Sequence, residues 1–243
     1  PYRELPRRVA GNQFDPSGVV VVSGTAWLIN DREGRENVPD GGTGVYRLDL
    51  DTGEVVHVPV PGFDRVSRKF EGLAWDGREM HALGNVGNRE ANTFLVSFAI
   101  DPETSMPTGE ARYHDLASAL GEVTGLGPEP WGHGIKIEAL AALEPGVLLV
   151  GLRRMGDGRA RRAYRTRVSP PGTAAAPLQL EPVAAFDHAA LGTAVGGEGG
   201  EWRMERELAG LSEPIGDGTV VVVASAEYEE GDTWEFLSNA LLV

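Results

Sequence analysis

One pattern recurs four times along this chain and limits its fold more than any other feature: a small or acidic residue followed by Gly or Ala, a β-rich run, a polar loop, and a second alternating run. The first copy starts at Ala10-Gly11, runs through Val19 to Val22 and on to Trp27, then resumes at Val45 to Leu50 and at Val55 to Val60. The second has Glu71-Gly72-Leu73-Ala74, Met80 to Leu83 and Phe94 to Ile100. The third has Glu138-Ala139-Leu140-Ala141, Val147 to Leu152 and Ala163 to Val168. The fourth has Ala209-Gly210-Leu211, Val220 to Ala224 and Trp234 to Leu237. Each copy offers three or four short strands joined by Gly-containing hairpin turns, as a β-propeller blade requires. A β-sandwich also holds many short strands, but it gives no reason for one motif to recur at one place four times. The expectation is an all-β chain, a single β-propeller domain over residues 1–243. Four blade repeats are visible, and a fifth, degenerate one fits within the insertions Ser118 to His133 and Asp187 to Glu205. Tyr2 to Val9 is placed as an outer strand of the last sheet, closing the ring. The one helical signal is Asp115 to Val123, where Leu116, Leu120 and Val123 recur at helix spacing.

Composition narrows the function. Glycine and proline supply 49 of the 243 residues, a density of turns suited to short strands. Without cysteine there is no disulfide scaffold, zinc-thiolate site or cysteine nucleophile. With 22 basic against 36 acidic residues the net charge is −14, which disfavours nucleic acid and anionic lipid as partners. The aliphatic runs are far shorter than the roughly 20 residues that span a bilayer, so the chain reads as soluble and its expected state is a monomer. No targeting segment is read, and the compartment stays open between secreted, periplasmic and cytoplasmic.

The segments Phe70-Glu71-Gly72-Leu73-Ala74 and Ile135-Lys136-Ile137-Glu138-Ala139-Leu140-Ala141, the latter followed by Leu148 to Arg153, carry a resemblance. They are similar to the uncharacterised bacterial β-propellers related to the phytase-like and esterase-like group, whose hallmark is an Ile-Glu-Gly-Leu-Ala strand followed by a strand ending in Gly-Leu-Arg. Ala139 stands where that pattern has Gly. The resemblance implies a propeller and metal binding; it does not imply an activity, because fold does not fix function.

Propeller topology places the motif starts and the loops between second and third strands on one rim. Glu71 and Glu138 then face Asn30, Asp31, Asn85, Asn88, Arg153, Arg154, Glu227 and Tyr228, with Arg68, Lys69 and His133 reaching the same rim. Two carboxylates in a narrow channel repel, so they bind a cation, pair with arginine or take up a proton. Oxygen-only ligands suit Ca²⁺ or Mg²⁺ better than zinc. The plainer reading is that Glu71 and Glu138 anchor neighbouring blades or pair with Arg153. Arg153, His133, Asp31, Asn85 and Glu227 are the candidate ligand-binding residues, and Glu71 and Glu138 the candidate metal ligands.

Seven of the fifteen residues from Arg153 to Arg167 are arginine. Arg165 and Arg167 fall on one side of a strand, where a solvated face paired with Asp and Glu explains them. Arg153 is better placed for a substrate carboxylate or phosphate. His81 reads as a packed strand residue, and His57, His114 and His188 as isolated. No Gly-x-Ser-x-Gly elbow or P-loop occurs. Two functions remain: a ligand-binding or scaffolding propeller recognising a small molecule or glycan at its rim, or a metal-assisted hydrolase of phosphoesters, esters or lactones.

Overall fold

A computed structural model describes residues 6, 8–9, 12–14, 16–30, 44–63, 70–84, 93–101, 103–125, 135–155, 161–173, 176–186, 193–196, 202–205, 207–211, 214, 222–230 and 233–242. After a small hairpin of β1 (Arg8–Val9) and β2 (Asn12–Gln13), three four-stranded sheets follow in chain order. The first is β3 (Pro16–Val22), β4 (Thr25–Asn30), β5 (Val45–Leu48) and β6 (Val55–His57). The second is β7 (Phe70–Trp75), β8 (Glu79–Gly84), β9 (Phe94–Asp101) and β10 (Met106–Asp115), and helix α1 (Leu116–Thr124) comes after it. The third is β11 (Ile135–Glu144), β12 (Val147–Met155), β13 (Arg161–Arg167) and β14 (Glu181–Phe186). A hairpin of β15 (Thr193–Gly196) and β16 (Trp202–Glu205) leads to a three-stranded sheet of β17 (Glu207–Leu211), β18 (Val222–Glu230) and β19 (Thr233–Leu242). Every pairing is antiparallel between strands consecutive in the chain.

The sheets stack face to face with their first strands innermost. Strand β7 packs between β3 and β11, and β11 packs against β17. One core, with Trp27, Ile29, Phe63, Phe70, Met80 and Phe98, fills the space between the first two sheets. A second, with Leu95, Leu116, Leu120, Leu148, Val150 and Tyr164, lies between the second and third and takes in the apolar face of α1. Val9, Phe14, Leu28 and Tyr46 cover the outer face of the first sheet. Meandering sheets arranged about neighbouring first strands are the blades of a β-propeller. The helix is set by its ends: Asp115 accepts from Ser118 N at 2.9 Å, and Gly125 takes the left-handed conformation (φ 67°) that ends it.

The recurring dipeptide has a geometric cause. In each of the four inner strands the ladder skips one residue: Ser17 between the Pro16–Asn30 and Gly18–Ile29 pairs, Glu71 between Phe70–Gly84 and Gly72–Leu83, Glu138 between Ile137–Leu152 and Ala139–Gly151, and Ala209 between Leu208–Ala224 and Gly210–Val223. These are β-bulges, and a bulge reverses the side-chain parity beyond it. Phe70 and Leu73, three apart, therefore both enter the core shared with the first blade. The residue after the bulge is where the next inner strand comes close. A Cβ on Gly18 would lie 2.8 Å from the Leu73 backbone nitrogen, and one on Gly72 3.0 Å from Leu140 Cβ. Ser17 Oγ adds a bond from its bulge to the Phe70 carbonyl of the next blade.

This register corrects the first repeat, whose equivalent of Glu71-Gly72 is Ser17-Gly18; Ala10 and Gly11 lie outside the described residues. Of the strand expected from Tyr2 to Val9, residues 2–5 and 7 lie outside the described residues, and Arg8 and Val9 pair with Gln13 and Asn12. Strands β10, β14, β15 and β16 are further elements that the sequence pattern did not mark, as their residues are mostly polar or small and lack a clean alternation.

Candidate functional site

The bulges place Ser17, Glu71 and Glu138 at the same end of the inner strands. Each sits near the start of its inner strand, whereas the hairpin turns at Ser23-Gly24, Asp76 to Arg78 and Pro145-Gly146 close the opposite rim. The third blade carries a second bulge facing the first: Lys136 pairs with Arg154 and Ile137 with Leu152, so Arg153 is the extra residue on β12. Arg153 and Glu138 thus flank the same Ile137–Leu152 pair from opposite strands, and Arg153 Nη1 donates to Glu138 Oε1 at 3.4 Å. Their side chains are 6% and 13% exposed, so the pair is largely withdrawn from water. Glu71, at the equivalent bulge of the second blade, is buried. Asn30, at the end of β4, is fully buried.

Of the other candidates, Asp31, Asn85 and His133 lie outside the described residues, as do Asn88, Arg68 and Lys69. The backbone of Glu227 is on β18 opposite Phe236. By register, the residue of the fourth blade that faces β17 ahead of its bulge is Ser225, paired with Glu207, two positions before Glu227. Among the described residues no three His, Asp or Glu side chains gather as a metal shell would require. With Glu138 already engaged by a guanidinium, Glu71 and Glu138 do not by themselves make the six to eight oxygen ligands of Ca²⁺.

A second polar cluster, between blades two and three, was not legible as a unit. His81 Nε2 lies 3.0 Å from Asp76 Oδ2, His81 Nδ1 is 2.8 Å from Ser97 Oγ, and Ser97 Oγ is 3.0 Å from His114 Nε2. His114, read as isolated, is in fact bonded across the sheet. Ser97 Oγ joins the two rings, donating to one imidazole nitrogen and accepting from the other. Burial alone would raise the Asp76 pKa, but His81 and the backbone N–H groups of Glu79 and Gly146 hold it well below the usual carboxylate range. The Gly146 N–H, at 2.7 Å, belongs to the third blade, so Asp76 also ties the seam. Arg112 ties it again, pairing with Glu79 and donating to the Ser169 carbonyl at 2.8 Å. Burial, then Arg112 and His81, lowers the pKa of His114 to about 4. An aspartate, histidine and serine in line invite comparison with a hydrolase triad. Ser97 and His81 are fully buried, however, and no substrate reaches them. The cluster is a structural lock.

No family model matches the chain, and no curated protein does. Among solved structures, a similar chain is an alpha-L-arabinofuranosidase from Clostridium thermocellum ATCC 27405, at 11% identity and a TM-score of 0.43, with 94% of this chain and 73% of that one covered. A likeness that loose bears on neither fold nor activity. The β-propeller assignment stands on the stacked blades described above; no comparison supports the kinship with the phytase-like group that the Glu-Gly and Glu-Ala motifs implied.

Proposed function

We propose that this propeller is a ligand-binding protein, with a scaffolding role included, whose recognition site is the bulge-lined mouth of the inner ring. Its ligand is a small polar molecule, and a neutral saccharide is the class that matches best. The observation carrying this reading is the withdrawn Arg153–Glu138 pair, with Glu71 buried at the equivalent bulge of the neighbouring blade. Such a pair presents fixed donors and acceptors together, which is what hydroxyl groups need. At this mouth, where Glu71 and Glu138 add to a net charge of −14, a polyanion is disfavoured. A cation held by Glu71 with backbone carbonyls is compatible with the same mouth.

Isothermal titration against neutral oligosaccharides, with and without Ca²⁺ or Mg²⁺, tests it. Wild-type protein is expected to bind, and Glu138→Gln and Arg153→Met to bind at least about tenfold more weakly while staying folded; a loss of that size corresponds to about 1.4 kcal/mol. Phosphoester, ester and lactone substrates should show no turnover above background. Divalent-dependent hydrolysis that vanishes in folded Glu71→Gln and Glu138→Gln proteins would replace this reading with the metal-dependent hydrolase.

A further inference from the structure

The outer half of the third blade has an opening in its sheet. Strand β13 pairs with β14 only as far as Arg165 opposite Glu181, and beyond that point the two chains part. The space between them is a groove of about 820 Å³, within the size range of ligand sites. One wall is the end of β13 and the other is the segment leading into β14.

The β13 wall presents a backbone edge. On β13, Val168 N donates to the Gly146 carbonyl on the β12 side. Peptide groups alternate between the two sides of an antiparallel strand, so those of Arg167 face the opposite way, into the groove. On the far wall Leu178 and Leu180 are buried and Gln179 between them is exposed, the period of two that marks extended chain. Among the described residues no backbone–backbone hydrogen bond crosses the groove, and Ala176 N donates to Ser169 Oγ at 2.9 Å at its end. Thr166 also lines it, and its buried Oγ1 has no hydrogen-bond partner among the described residues.

The side chains along the β13 edge are cationic. Arg165 and Arg167 stand two residues apart, about 7 Å along one side of the strand, the spacing of alternate side chains on a partner strand. Each now holds a carboxylate: Arg165 binds Glu181 at 2.6 Å and Arg167 lies 3.5 Å from Glu144. Both pairs are exposed, and exposed pairs of this kind are weak and exchangeable.

From this edge and its charges we infer that the groove is a strand-addition site for an extended acidic peptide. Unpaired main-chain groups recognise the peptide backbone, as in other strand-addition complexes. Arg165 and Arg167 exchange their internal partners for acidic side chains at alternate peptide positions. The site is on the outer edge of one blade and does not depend on the inner mouth.

Fluorescence anisotropy at 0.15 M salt tests it, using a fluorescein-labelled heptapeptide of alternating glutamate and valine. Saturable binding is expected. An Arg165→Glu, Arg167→Glu double variant should bind at least about tenfold more weakly, with an unchanged thermal midpoint showing that it is folded. The same peptide N-methylated at alternate residues, or carrying lysine for glutamate, should not bind. No binding by wild-type protein, or equal binding of the lysine peptide, overturns the inference. So does a polygalacturonate oligomer that binds as tightly and competes, because the groove would then read charge without backbone.

Discussion

His114 is the residue whose chemistry reaches furthest beyond its own contacts. It is neutral in the fold, with its pKa lowered from 6.5 to about 4 by burial, Arg112 and His81. The unfolded chain protonates it as pH falls below 6.5 while the folded one resists until about 4, so stability drops across that window. Over the whole window the loss is on the order of 3 kcal/mol. Asp76 acts in the same sense but at lower pH: its contribution is kept until pH falls below the ordinary carboxylate range, leaving the window between 6.5 and 4 to His114. Urea midpoints measured from pH 7 to pH 4.5 should fall for wild-type protein and fall much less for His114→Phe. A variant slope as steep as the wild type would remove His114 as the cause. The chain through Ser97 and His81 joins positions 16 and 17 residues apart on neighbouring strands, so no local spacing discloses it. Glu71 and Glu138 were legible because both fall on one recurring motif. Their bulged backbone and the facing bulge at Arg153 come from pairing, which a single strand does not encode.

Among elements, the contact between consecutive inner strands is the tightest join. At Gly18 the approaching atom is a backbone nitrogen at 2.8 Å, which cannot rotate away. At Gly72 the nearest atom is a side-chain carbon at 3.0 Å, on Leu140. Gly18→Ala should therefore cost about 1–3 kcal/mol and lower the urea midpoint more than Gly72→Ala does. Equal losses would mean that both strands yield alike and that the backbone contact has no special role. The third blade already carries Ala139 at this position, so its neighbour β17 must leave room for a methyl group. The strand runs Val19 to Val22 and Val147 to Leu152 were plain from their β-branched and aliphatic residues. Strand β10 was hidden because Thr108, Gly109 and Glu110 within it are exposed and polar or small, and they neighbour a shift in its ladder.

For the whole molecule, a charge of −14 makes the compact state repel itself. Raising ionic strength from about 0.01 to 0.15 M shortens the screening length from about 30 to 8 Å, and the thermal midpoint should rise with it. A fall on added salt would show that exposed pairs such as Arg165–Glu181 outweigh the global repulsion. The propeller itself was readable from the fourfold motif, although the first copy was placed seven residues early, at Ala10 in place of Ser17. Both are small residues followed by glycine, and only the strand register tells them apart. That register has a consequence for how the chain finds its fold. A plain strand that slides by two residues keeps its inward and outward faces, so the slipped pairing competes closely with the correct one. Where a bulge is followed by a residue with no room for a side chain, at Gly18 and Gly72, that degeneracy is reduced: sliding by two would bring Pro16 or Val20, and Phe70 or Ala74, to the point of closest approach. The inner strands of the first two blades are thus each indexed to one position along the axis, and misaligning them carries a steric penalty from the first moment they meet their neighbours.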